Sequence, residues 1–238
     1  MEIMIKMILI IWLIGLHAFA LLAIVDTDLP YRIDRKLGFG WLNPPEITQF
    51  YDDTLGSHLQ LDSSVEAGSV IFLGDSLTQG LNVAAITNPA INYGIGMDTS
   101  LGLLQRIPHY ESLNTASTIV LAIGVNDFIR AKRNPEAVIE NYQKIIASLP
   151  ADKKIIINGV LPIDESFGMN GINQKIVELN QSLETLASRQ SLTMINLHSQ
   201  YANASGNLQA EFHIGDGIHL SHNGYKRWID TLKQTIHP

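Results

Sequence analysis

The chain has 238 residues, a net charge of -7, 46% apolar and 16% charged residues. That balance excludes a disordered chain and leaves enough apolar surface for one sizeable core. Lys and Arg form no cluster and Cys is absent, so a phosphate-binding face for nucleic acid, disulfides, thiol chemistry and Cys-held metals are all excluded as readings.

Residues 7–25 form an apolar run interrupted only by Gly15 and His17, with Lys6 before it and Asp26 and Asp28 after it. As a helix, at 1.5 Å per residue, it would span about 28 Å, close to the hydrocarbon thickness of a bilayer. The rival reading is a signal peptide cleaved after Ala18-Phe19-Ala20, a small-x-small pattern. Residues 21–25 stay apolar past that point, and the run length favours an uncleaved anchor. Lys6 places the N-terminus inside, while Arg32, Arg35 and Lys36 pull the other way. Both readings of the run lead to an exported domain, periplasmic or extracellular, either anchored or secreted.

Residues 26–45 read as a connector, with Pro30, Gly38, Gly40, Pro44 and Pro45 as breakers. Residues 46–238 read as one domain. Its first helix is expected over 46–59, with Ile47, Phe50 and Leu55 toward one side. Strands are expected over 69–73, 90–95, 118–123, 154–160 and 192–197. These are continuous apolar runs, which suit strands covered on both faces of a parallel sheet. Helices are expected between them over 99–107, 135–149 and 172–190, and a last one over 222–236. Asn134-Pro135 reads as a helix start, with Asn as cap and Pro in the first turn. This rhythm predicts an α/β fold, a three-layer α/β/α sandwich on a five-stranded parallel sheet.

Ligands of such sheets sit at the carboxyl ends of the strands. Three polar, Gly-containing turns fall there: Gly74-Asp75-Ser76, Gly96-Met97-Asp98 and Gly124-Val125-Asn126-Asp127. A serine hydroxyl needs an adjacent base to act as a nucleophile. His219 is the best candidate base for Ser76, and Asp216, three residues earlier, can fix its tautomer. The Asn126 amide and the Gly-rich backbone around Ser76 and Gly96 can donate to a developing oxyanion.

Four segments together resemble the SGNH, or GDSL, hydrolases: Gly74-Asp75-Ser76-Leu77-Thr78, then Asn92-Tyr93-Gly94-Ile95-Gly96-Met97-Asp98-Thr99, then Gly124-Val125-Asn126-Asp127, then Asp216-Gly217-Ile218-His219-Leu220. They occur in family order over residues 70–236. The resemblance implies a flavodoxin-like sheet, Ser76 as nucleophile, His219 as base and Asp216 as its partner. It implies an oxyanion hole from the Ser76 N–H, a second-block N–H and the Asn126 side chain. Many members carry Gly immediately before the second-block Asp. Here that position is Met97, with Gly96 one earlier, so the donor is one of the two. Met97 is also expected at the rim of the cleft, with Tyr93 and Phe128 as further wall residues or as core. The Gly-x-Ser-x-Gly elbow of α/β-hydrolases is not matched, because Thr78 stands at its last glycine.

The implied reaction is hydrolysis of an acyl or acetyl ester of a lipid or glycan through an acyl-enzyme, with no cofactor and no metal. An acyltransferase on the same scaffold and a non-catalytic lipid- or glycan-binding module are the alternatives. His58, His109, His198, His213, His222 and His237 lack a triad-like carboxylate and read as surface residues, with His213 and His222 near the cleft. Asp75 and Asp127 are expected to tie down their own loops.

Overall fold

The computed structural model of the chain describes residues 2–25, 29–39, 42 and 45–237. Asp26, Asp28, Gly40 and Pro44, named above, lie outside them. Helix α1 (Glu2–Val25) contains the apolar run. Its stretch Glu2–Leu22 has a mean hydropathy of 2.3, and none of its residues is buried in the protein. A Glu2–Lys6 ion pair at 2.7 Å starts it.

The connector is not irregular throughout: α2 (Leu29–Leu37) occupies its centre. Pro30 is no breaker, because it falls in the first turn, where the missing N–H has no intrahelical partner to lose. Gly38 does end the helix, at φ +74°.

Helix α3 (Gln49–Asp62) starts one turn later than expected, at Thr48, whose side chain accepts the Tyr51 N–H. Its inward face is also different. Tyr51 and Asp62 are buried and Leu55 packs on the core, whereas Phe50 is exposed. A count of apolar residues missed this because two polar groups are satisfied inside. The Tyr51 hydroxyl donates to the Gly102 carbonyl at 2.8 Å. The Asp62 carboxylate accepts from Tyr93, Ser112 and the Glu111 N–H.

From here strands and helices alternate: β1 (Val70–Gly74), α4 (Ser76–Gln79), β2 (Ala90–Gly94), α5 (Ser100–Arg106), β3 (Thr118–Ala122), α6 (Val125–Ile129), α7 (Pro135–Ser148), β4 (Lys154–Asn158), α8 (Ile172–Gln190), β5 (Thr193–Ile195), α9 (His198–Tyr201) and α10 (His222–Ile236). All pairs are parallel, in the order β2-β1-β3-β4-β5, the flavodoxin-like arrangement. β5 is shorter than expected because the Asn196 side chain accepts the His198 N–H and turns the chain into α9.

The apolar strands divide their side chains between two cores. Ile71 and Leu73, Ile119 and Leu121, and Ile155 and Ile157 point to the face covered by α5, α7 and α8. Val70, Phe72, Val120 and Ile156 point to the face covered by α10, through Trp228 and Leu232. Each fully buried Leu or Ile contributes roughly 1.5–3 kcal/mol, so the sheet is held from both sides. α7 is capped by Asn134, whose side chain accepts the Ala137 N–H at 2.9 Å, as the Asn-Pro pair predicts.

Candidate active site

The first three polar turns do meet at the carboxyl ends of β1, β2 and β3. Gly74 is required by close approach: a Cβ there would collide with the Thr78 hydroxyl and the Ala122 carbonyl. Asp75 caps α4 by accepting the Leu77 N–H at 2.9 Å, so Ser76 is the first helical residue. Burial pushes the Asp75 carboxyl up to about 7, and the Leu77 N–H opposes the push.

A hydrogen-bond relay runs through Ser76. Its hydroxyl lies 3.0 Å from His219 Nε2. His219 Nδ1 lies 2.6 Å from Asp216 Oδ2. The other Asp216 oxygen accepts the N–H groups of Ile218 at 3.0 Å and His219 at 2.9 Å. Burial works against Asp216 ionisation, but those N–H groups and the imidazole outweigh it and hold the carboxyl below its usual range. A carboxylate so held fixes the tautomer with a proton on Nδ1 and leaves Nε2 free to accept the serine proton. This arrangement can deprotonate a hydroxyl nucleophile. It is also open: the His219 and Asp216 side chains are 44% and 41% exposed.

Asn126 stands on α6, at the same carboxyl edge of the sheet as Ser76. Its Nδ2 donates one hydrogen to the Asp98 carbonyl at 3.0 Å. The second hydrogen of that amide remains for an oxyanion. The turn Ile95–Asp98 is closed by the Asp98 N–H on the Ile95 carbonyl at 3.2 Å. Met97, its third residue, has φ +67° and is 41% exposed. That backbone favours glycine, and a side chain there costs about 1–2 kcal/mol. Met97 accepts the strain and stands at the rim. Among the described residues, the N–H groups of Gly96 and Met97 donate to no protein acceptor. Tyr93 and Phe128 belong to the core and form no part of the wall.

Asp127 ties down more than its own loop. It accepts the Ser100 N–H at 2.8 Å and the Ser100 hydroxyl at 2.6 Å, so it fastens the start of α5. Arg133 bridges Asp127, at 3.1 Å, to Glu46, at 2.8 Å. Glu46 also accepts the Thr99 hydroxyl at 2.9 Å. Arg130 donates to the carbonyls of Met97 and Pro45. Residues 45 and 46 therefore form a strap across the second and third turns. Neither the strap nor its two arginines were found in the sequence, where the arginines follow the third block closely but Glu46 lies far from any motif. The signal was weak: two charged residues flanking one matched block.

A hydroxyl, imidazole and carboxylate in relay at the carboxyl edge of a 2-1-3-4-5 sheet, with a side-chain amide nearby, define an α/β ester hydrolase. The profile of the GDSL-like lipase/acylhydrolase family matches residues 72–227, and the chain belongs to that family. It is 26% identical to platelet-activating factor acetylhydrolase IB subunit alpha2 of Rattus norvegicus, over 82% of this chain and 90% of that one. Its fold is similar to that of a GDSL-like lipase of Bacteroides thetaiotaomicron, with TM-score 0.69, 21% identity and 79% and 98% of the two chains covered. It is also similar to the acetyl xylan esterase AlAXEase, with TM-score 0.59, 22% identity and 71% and 99% covered.

Proposed function

We propose that the chain hydrolyses short-acyl esters, acetyl above all, of a bulky alcohol, with Ser76 as nucleophile, His219 as general base and Asp216 as its orienting partner. His219 takes the Ser76 proton as the hydroxyl attacks the ester carbonyl. The oxyanion is held by the Ser76 N–H, an N–H of the Gly96-Met97 turn and the Asn126 amide. His219 then protonates the leaving alcohol, and water repeats the cycle on the acyl-enzyme. The openness of the relay carries the substrate reading: exposed His219 and Asp216 side chains leave room for a large leaving group, while Met97 narrows the rim. The relative named an acetylhydrolase and the neighbour named an acetyl xylan esterase lend support. α1 holds the exported domain at a bilayer.

The test is fluorophosphonate labelling followed by a panel of acetyl to dodecanoyl esters. Labelling at Ser76 and a kcat/KM that falls at least tenfold along the panel are expected. Folded protein that takes no label removes the mechanism, and a maximum at dodecanoyl removes the short-acyl reading. In the same assay Asn126→Ala lowers kcat by about 10²-fold; an unchanged rate removes Asn126 from the hole. For the anchor, alkaline extraction of membranes leaves the full chain in the pellet. Recovery in the supernatant refutes α1 as a span.

A further inference from the structure

His213, read from the sequence as a surface residue, is only 9% exposed and lies behind the relay. It pairs with Leu220 in an isolated antiparallel bridge, and the Ile214 N–H donates to the His219 carbonyl at 2.9 Å. Residues 213–220 thus form a closed loop that carries both Asp216 and His219. The His213 ring fills its inside. Its Nδ1 accepts the N–H groups of Gly215 at 3.0 Å and Gly217 at 3.2 Å. These are the two residues that flank Asp216. Both glycines have left-handed backbones, φ +101° and +78°, which turn their N–H groups inward onto one acceptor. The Phe167 ring meets the imidazole edge-on at 5.6 Å. His213 Nε2 lies 3.6 Å from Asp164 Oδ2, and the Asp164 N–H donates to the Gly217 carbonyl at 2.8 Å.

We propose that His213 is a positioning residue for the ester hydrolysis: its Nδ1 lone pair gathers the two amides beside Asp216 and so aims the Asp216 carboxylate at His219. This rests on the Ser76–His219–Asp216 reading. A nitrogen that accepts two N–H bonds carries no proton, so the ring acts as the tautomer with its proton on Nε2, toward Asp164. His213 thus holds the backbone on both sides of Asp216, while the Asp216 carboxylate itself is held by the Ile218 and His219 N–H groups and by the His219 ring. Without the Nδ1 acceptor, the buried Gly217 N–H and the part-buried Gly215 N–H lose their partner, and the loop loses the tie at its centre.

Two isosteres separate this role from mere filling of space. In His213→Asn the Oδ1 atom sits where Nδ1 was. In His213→Gln the polar end sits where Nε2 was, and the Nδ1 position is empty of an acceptor. In the full chain with p-nitrophenyl acetate, His213→Asn keeps kcat within threefold of the parent. His213→Gln lowers kcat by 10- to 100-fold with KM within threefold, and the low-field proton resonance of the His219–Asp216 bond weakens in the same variant. A Gln variant with unchanged kcat, or an Asn variant that falls as far as the Gln variant, overturns the proposal. Ser76→Ala distinguishes the two levels. If it stays active, the relay reading fails; if it is inactive while His213→Gln is fully active, only the role of His213 fails.

Discussion

Ser76→Ala lowers kcat by about 10⁴- to 10⁶-fold, and His219→Ala lowers it by a similar factor. The reason lies in the relay at 3.0 and 2.6 Å. In the proposed mechanism there is no atom to form the acyl-enzyme without the hydroxyl, and without Nε2 the hydroxyl keeps its proton. Each group works only through the other. The double variant is therefore no slower than either single one by more than a few-fold. Asp216→Asn lowers kcat by about 10⁴-fold, because the amide favours the wrong imidazole tautomer. The residual rate above water is assigned, in the proposed mechanism, to the donors around Asn126 and the Gly96-Met97 turn. Steady-state kinetics on a short-acyl ester measures all four proteins. Single variants within tenfold of the parent, or losses that simply add in the double, refute the relay.

Arg106→Met destabilises the protein by about 3–5 kcal/mol. Arg106 is fully buried between the ends of β1 and β2. Its Nε donates to Asp98 at 2.9 Å, one Nη to the Tyr93 carbonyl at 2.8 Å and the Tyr110 hydroxyl at 2.9 Å, and the other Nη to the Gly74 carbonyl at 2.9 Å. Methionine fills the space but leaves Asp98 and two carbonyls without their donor. The loss grows with pH. Burial pushes the Asp98 carboxyl up, and the guanidinium opposes the push. Without Arg106 the folded state binds the Asp98 proton more strongly than the unfolded chain does. That contribution is present at low pH and disappears as pH rises through the folded pKa. Urea unfolding of parent and variant at pH 5 and pH 8 reads the difference, with the larger deficit at pH 8. Asp98→Asn in the Arg106→Met background recovers part of it at pH 8 and little at pH 5. A deficit independent of pH removes the buried charge as its cause.

Much of the site was legible because its chemistry is local in sequence. Asp216 and His219 lie within one turn of chain, and Ser76, Gly96 and Asn126 each follow an apolar run that reads as a strand. The sheet was legible because its strands are buried on both faces and so are apolar throughout. What escaped shares one cause. Arg106 and Asp62 are buried through partners mostly remote in sequence, His213 is buried by the folding of its own loop against Asp164 and Phe167, and a charged or polar residue read alone defaults to the surface. α3 was given an incomplete inward face for the same reason: Leu55 packs inward as expected and Phe50 does not, while Tyr51 and Asp62 bury polar atoms that no apolar periodicity registers. α2 was missed because Pro30 was weighed as a breaker without regard to its place in the first turn. Met97 was legible as a departure, but its left-handed backbone was not.

The strap at Pro45 and Glu46 has a mechanical consequence. Between the end of α1 and the strap the chain contains α2 and about ten other residues, a contour of at most about 50 Å. Because Arg130 holds Pro45 and Met97 together, this leash is fastened at the rim of the catalytic mouth and not at the back of the domain. With α1 in a bilayer, as proposed above, the mouth would lie in a shell of about 50 Å over it. Esters displayed within that shell are met at a high effective concentration, whereas freely diffusing esters gain nothing from it. Under that proposal, leash length would select substrates by where they are held, separately from any selection by the shape of the pocket.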